Sequence, residues 1–140
     1  MRRKAREYAV QILYSLDLNP VPPKEALRLF WDQNPAKSET IEYATRLVEG
    51  TLANKKQIDA LLSKHSSHWK VERMPVTDRN ILRLGTFELI TPSGVPPRVA
   101  LNEAIELAKK FGTTDSSIFV NGVLDGILQE LDAKKAKALS

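Results

Sequence analysis

Arginine is concentrated where a nucleic-acid surface would need it. Arg2, Arg3 and Arg6 open the chain and Tyr14 follows two turns later. On a helical wheel of about 100° per residue, Arg2, Arg6, Val10, Arg3 and Tyr14 share one arc, which starts at the edge of the apolar stripe and leads away from it. Guanidinium forks bind phosphate oxygens bidentately, and a neighbouring aromatic ring offers a face on which an unpaired base stacks. That combination points to single-stranded RNA. The plainer alternative is a basic chain start with Tyr14 edging the core. A DNA-reading helix-turn-helix fits less well, because its recognition helix is the second of a closely spaced pair.

Other chemistry finds little support. There is no cysteine, so disulfides, thiolate catalysis and thiolate metal sites are excluded. His65 and His68 are three apart, but the acids nearest them, Asp59 and Glu72, form no ligand pattern with them. No Gly-x-Ser-x-Gly elbow and no glycine-rich phosphate loop occurs. Glu103 and Glu106 share a helix face beside basic residues, where salt pairing fits better than acid–base work. The expectation is a protein that is not an enzyme and needs no metal or cofactor.

The chain has 140 residues, 42% hydrophobic and 27% charged, which suits one folded unit and disfavours disorder. Its net charge of +4 is unevenly placed: residues 1–10 carry +3, residues 132–140 carry +2, and the stretch between sums to −1. A pI near 9.4 arising from the chain ends suggests a local anionic patch on a partner. No apolar run of signal-peptide or membrane-span length is seen, so the expected location is the cytoplasm.

The elements that must position the arginines are helical. Ala5, Ala9, Ile12, Leu13 and Leu16 line one face of a first helix over roughly 3–18. A short helix follows from Lys24 to Gln33, and Ser38 or Thr40 can cap a third carrying Ile41, Ala44, Leu47, Val48 and Leu52. The apolar phase changes near residue 54, which predicts two helices meeting there. After Pro75 the run Ile81, Leu82, Leu84, Phe87, Leu89 and Ile90 is apolar nearly all round, as in a helix wrapped by neighbours. Leu101, Ala104, Ile105, Ala108 and Phe111 form the next stripe, which Gly112 ends as a left-handed stop. Thr113, Thr114 or Asp115 can cap a last helix with Val120, Val123, Leu124, Ile127 and Leu131 inside, in which Gly122 and Gly126 admit a close neighbour. The expected architecture is all-α, about seven helices in two small bundles packed together, about 1–70 and about 71–140, with a seam around Ser66-Ser67-His68-Trp69.

Four blocks in order then resemble a known family: Arg2-Arg3-Lys4-Ala5-Arg6-Glu7 with Ala9-Val10-Gln11 and Leu13-Tyr14; Asp78-Arg79-Asn80-Ile81-Leu82-Arg83-Leu84 with Glu88-Leu89; Asn102-Glu103-Ala104-Ile105-Glu106-Leu107-Ala108-Lys109; and Phe119-Val120-Asn121-Gly122-Val123-Leu124-Asp125. Together they are similar to the NusB family of bacterial transcription antitermination factors. Only residues 19–38 and the tail after about 130 lack a distinctive match. The resemblance implies a non-enzymatic two-bundle helical protein that binds boxA RNA of ribosomal RNA leaders together with a small ribosomal protein, NusE, near the transcribing polymerase. It carries an RNA-contacting role over to Arg2, Arg3, Arg6, Gln11, Tyr14, Asp115 and Phe119. Phe119 has two readings, a base-stacking ring or a core ring. Asp115, being anionic, suits a cap that tunes affinity. Asp78, Arg79 and Arg98 are candidate polar contacts for the ribosomal-protein partner. The arginine block starts directly after Met1, so the basic extension of some relatives is expected to be absent, with fewer phosphate contacts. A NusB-like module also fronts some ribosomal RNA cytosine methyltransferases, but those need a cofactor domain for which 140 residues leave no room. A helical protein-interaction scaffold without RNA contact is the competing reading, and the oligomeric state stays open.

Overall fold

A computed structural model describes residues 2–67, 69–92 and 94–139. Within them the chain forms seven α-helices and no strand: α1 (Arg2–Leu18), α2 (Pro23–Gln33), α3 (Ser38–Ala53), α4 (Lys55–His65), α5 (Val76–Ile90), α6 (Pro97–Phe111) and α7 (Ser116–Leu139). One 3₁₀ turn, Val71–Arg73, lies between α4 and α5. Among the described residues no helix is long and apolar enough to cross a membrane.

The predicted stripes become the core. Ala5, Ala9, Ile12, Leu13 and Leu16 of α1 are all buried, as are Val120, Val123, Leu124 and Ile127 of α7. They join one apolar cluster to which every helix contributes. Helix α5 is the centre, packing against α1, α3, α4, α6 and α7. That is why its apolar residues extend nearly all round, and why even Asn80, Arg83, Thr86 and Glu88 on it are buried. The phase change near residue 54 has a local cause. Asn54 ends α3 by donating from both its backbone N–H and its side-chain amide to the Gly50 carbonyl, while its own carbonyl accepts the first hydrogen bond of α4, from Ile58.

Several local expectations need correction. Neither Ser38 nor Thr40 caps α3, because Ser38 is already its first residue and Thr40 is buried. Gly112 is extended, with φ −95° and ψ −168°, so the α6 stop is not left-handed. The α7 entry is tied by Ser116, whose hydroxyl accepts from the Thr113 N–H at 2.9 Å, and the Asp115 carboxylate makes no capping bond. Ile105 is only half-buried, because the inner face of α6 is centred on Ala104 with Leu101, Leu107 and Ala108 and leaves Ile105 at its edge. Gly122 has open space around it, whereas Gly126 answers the expectation: a Cβ there would lie 2.8 Å from His65 Nδ1, so α4 and α7 meet at that glycine.

That α4–α7 contact is closed by charge. Glu130 accepts from His65 Nε2 at 2.8 Å and pairs with Lys64 at 2.8 Å and Lys134 at 3.0 Å. These bonds, led by that of Lys64, hold the Glu130 carboxyl at about 2, below its ordinary 4.5. Because the folded value is the lower one, the stabilisation is complete above pH 4.5 and is lost as pH falls towards about 2. Urea midpoints measured across that interval should fall more steeply for the wild type than for Glu130→Gln; parallel curves would show that the cluster contributes nothing to acid sensitivity. His68, the other histidine of the proposed pair, lies outside the described residues. No group of three potential metal ligands occurs among those that are described.

Candidate nucleic-acid interface

Only part of the arginine arc faces outward. Arg2, Arg3 and Lys4 are exposed, but Arg6 is 3% exposed. Its Nε donates to Glu88 Oε1 at 2.7 Å and its Nη2 to Glu88 Oε2 at 2.9 Å, a bidentate fork onto the central helix. The Tyr43 hydroxyl donates to the same carboxylate at 3.1 Å, and Glu103 stands 3.6 Å from Arg6 Nη1. Burial works against the Arg6 charge, yet the Glu88 carboxylate outweighs it and raises the Arg6 pKa further. The expectation that Arg6 points away from the core is therefore wrong. Its spacing to Val10 and Leu13 is i, i+4, i+7, and both of those are buried, so it belongs to the inner face.

Of the rest of the arc, Arg2 lies over the Tyr43 ring of α3 and Arg3 faces α6. Arg3, Glu7, Gln11 and Tyr14 recur at four, four and three residues and share a face. Arg3 meets Glu103 at 3.1 Å through Nη2, and Glu7 takes Lys110 at 2.8 Å and Lys4 at 3.7 Å. Gln11 is exposed and Tyr14 is 40% exposed, so both present polar or aromatic surface to solvent. The Arg3–Glu103 pair is exposed on the arginine side, and pairs of this kind exchange readily for another anion.

The first two turns of α5 gather the remaining pieces at one end of the molecule. Arg79, Asn80 and Arg83 all donate to Asp17 Oδ2 near the end of α1, at 2.8, 3.0 and 3.3 Å, and Arg83 also grips Asp59 of α4. These donors outweigh the burial that would raise the Asp17 carboxyl and hold it below its ordinary value. Asp78, in the first of these turns, accepts from the Ser116 hydroxyl at 2.7 Å and so fixes the start of α7. Asp115 and Phe119 are thereby brought to the end of α5 that also holds the end of α1.

Asp115 is exposed. Phe119 is half-buried against the core, with its ring edge-to-face on Trp69 at 6.2 Å. Trp69 is 49% exposed and is an aromatic surface that the sequence reading passed over as a seam residue. Of the expected partner contacts, Asp78 is buried and Arg79 is committed to Asp17 and to the carbonyls of Val71 and Glu72, so both serve the fold. Arg98 is exposed and pairs with Asp125 at 3.3 Å. Arg46 of α3 was also missed; it is exposed and lies over the Tyr43 ring.

Comparison with known proteins bears on this arrangement directly. The NusB family model matches residues 3–129. Transcription antitermination protein NusB of Desulfatibacillum aliphaticivorans is 41% identical, over 98% of this chain and 95% of its own, and that of Myxococcus xanthus (strain DK1622) is 42% identical, over 94% and 96%. Among solved structures, NusB of T. maritima superposes with a TM-score of 0.85 at 35% identity, covering 93% of this chain and 92% of that one. A structure of the antitermination factors NusB and NusE in complex with double-stranded RNA gives 0.84 at 32% identity, covering 92% and 96%. The relatives are named for transcription antitermination, a binding function and not a catalytic one. With the helical order, the arginine-rich α1 and near-complete coverage in agreement, the chain belongs to the NusB family.

Proposed function

We propose that this protein binds boxA-type single-stranded RNA of ribosomal RNA operons together with a NusE-type ribosomal protein, acting in the cytoplasm on the elongating polymerase to support processive rRNA transcription. The observation that carries the reading is the outward face of Arg3, Gln11 and Tyr14 on α1, a cation followed by an amide and a ring, with the exposed Arg2 beside it at the helix start over Tyr43. The solved NusB–NusE–RNA assembly of a relative supports the partnership. With Arg6 spent on Glu88 and Arg3 shared with Glu103, few cations remain for phosphate, so this chain alone grips RNA weakly and the partner supplies the rest of a joint surface. Two small bundles, residues about 1–70 and about 71–140, would leave one for each partner.

The test is a titration of labelled boxA RNA with this protein, alone and with a purified NusE-type ribosomal protein. Affinity should rise at least about tenfold when both proteins are present, and it should fall with added salt. An RNA signal that the protein leaves unchanged under both conditions would favour a protein-interaction scaffold and overturn the proposal.

A further inference from the structure

Among the described residues, most cations near the start of α1 already have a carboxylate: Arg3 has Glu103, Arg6 has Glu88, and Lys4 and Lys110 share Glu7. Two have none. Arg2 of α1 and Arg46 of α3 are both exposed, and no carboxylate stands within ion-pair distance of either, although Glu42 and Glu49 flank Arg46 along its own helix. What they share is Tyr43. The Arg2 guanidinium lies 5.1 Å and that of Arg46 5.2 Å from its ring centroid.

The ring is a fixed platform. Tyr43 is 5% exposed and its hydroxyl is held by Glu88, so it cannot swing out to stack on a base. Arg6, held by Glu88, also lies 5.8 Å from the ring centroid, so three guanidiniums crowd one ring and, of these, Arg2 and Arg46 are the two without a carboxylate. The first turn of α1, with no acidic residue, adds the positive end of the helix dipole beside Arg2. An anion taken by the pair supplies the missing counter-charge and meets the positive helix end.

We propose that Arg2 and Arg46 form a phosphate-binding pair on the Tyr43 platform, which takes a backbone phosphodiester of the bound RNA. This extends the reading above and rests on it. The RNA track then turns from the start of α1 onto α3, away from the α7 side where Asp115 and Phe119 lie. Phosphate contacts carry no base information, so the pair strengthens binding to any single strand alike.

The probes are a labelled boxA RNA and a scrambled strand of equal length, titrated at several salt concentrations with the wild type, Arg46→Gln, Arg46→Lys and, as a charge control, Arg28→Gln on α2. Arg46→Gln should weaken both strands about fourfold at 0.15 M salt and lower the salt slope by about 0.7, the share of one single-strand phosphate. Arg46→Lys should keep most of the slope, and Arg28→Gln all of it. A wild-type slope for Arg46→Gln, or an equal loss in Arg28→Gln, would overturn the pair while leaving the α1 surface intact. A wild type that binds neither strand, alone or with a purified NusE-type ribosomal protein, would overturn both readings together.

Discussion

Replacing Arg6 by alanine is expected to destabilise the fold by about 3–5 kcal/mol, the cost of stranding a buried charge by removing its partner. Arg6 and Glu88 are each 3% exposed in their side chains, and the fork between them joins α1 to the central helix. Without the guanidinium, Glu88 keeps only the Tyr43 hydroxyl. Thermal unfolding should drop by roughly 10 °C or more for a chain of this size. The double variant Arg6→Met with Glu88→Leu should recover most of the loss, since apolar side chains of similar volume replace buried ion pairs at little cost. If Arg6→Ala melted with the wild type, the buried fork would not be what fastens α1 to α5.

The largest expected effect on binding belongs to the outward pair. Changing Arg2 and Arg3 together to glutamine should reduce affinity for single-stranded RNA about fifteenfold at 0.15 M salt, two phosphate contacts' worth of released counterions. Stability should hardly change. Arg2 packs over Tyr43 from outside, and the Arg3 side chain is 67% exposed. Glutamine keeps much of each aliphatic stem and removes only the charge. A fold weakened as much as by Arg6→Ala would mean that these two side chains are structural after all.

The contrast between Arg6 and its neighbours shows how far the sequence could be read. Apolar spacing placed the helices because a buried face repeats every 3.6 residues whatever the rest of the fold does. It located α5 at the centre because Ile81, Leu82, Leu84 and Phe87 left no polar side. It misplaced Arg6, although the i, i+4, i+7 relation to Val10 and Leu13 was available, because a guanidinium is normally outside unless a partner exists. That partner, Glu88, is eighty-two positions away and is visible only once α1 and α5 pack. Asp78 was misread for the same reason, its hydrogen-bond partner Ser116 lying on another helix. Arg46 went unnoticed because Tyr43, three residues before it on α3, says nothing of Arg2 until α1 packs there, and Trp69 because nothing in its own segment marks it. Their surroundings come from Arg2 and Tyr43 in one case and from Phe119 in the other.

The measurement that goes most directly to the central claim is the salt dependence of RNA affinity for the wild type, the Arg2→Gln and Arg3→Gln double variant, and Arg6→Lys. The double variant is expected to lower the slope of log affinity against log salt by about 1.4, while Arg6→Lys, which retains a buried cation facing Glu88, leaves the slope as it was. A double variant with the wild-type slope, or a slope reduced by the Arg6 change alone, would contradict that claim.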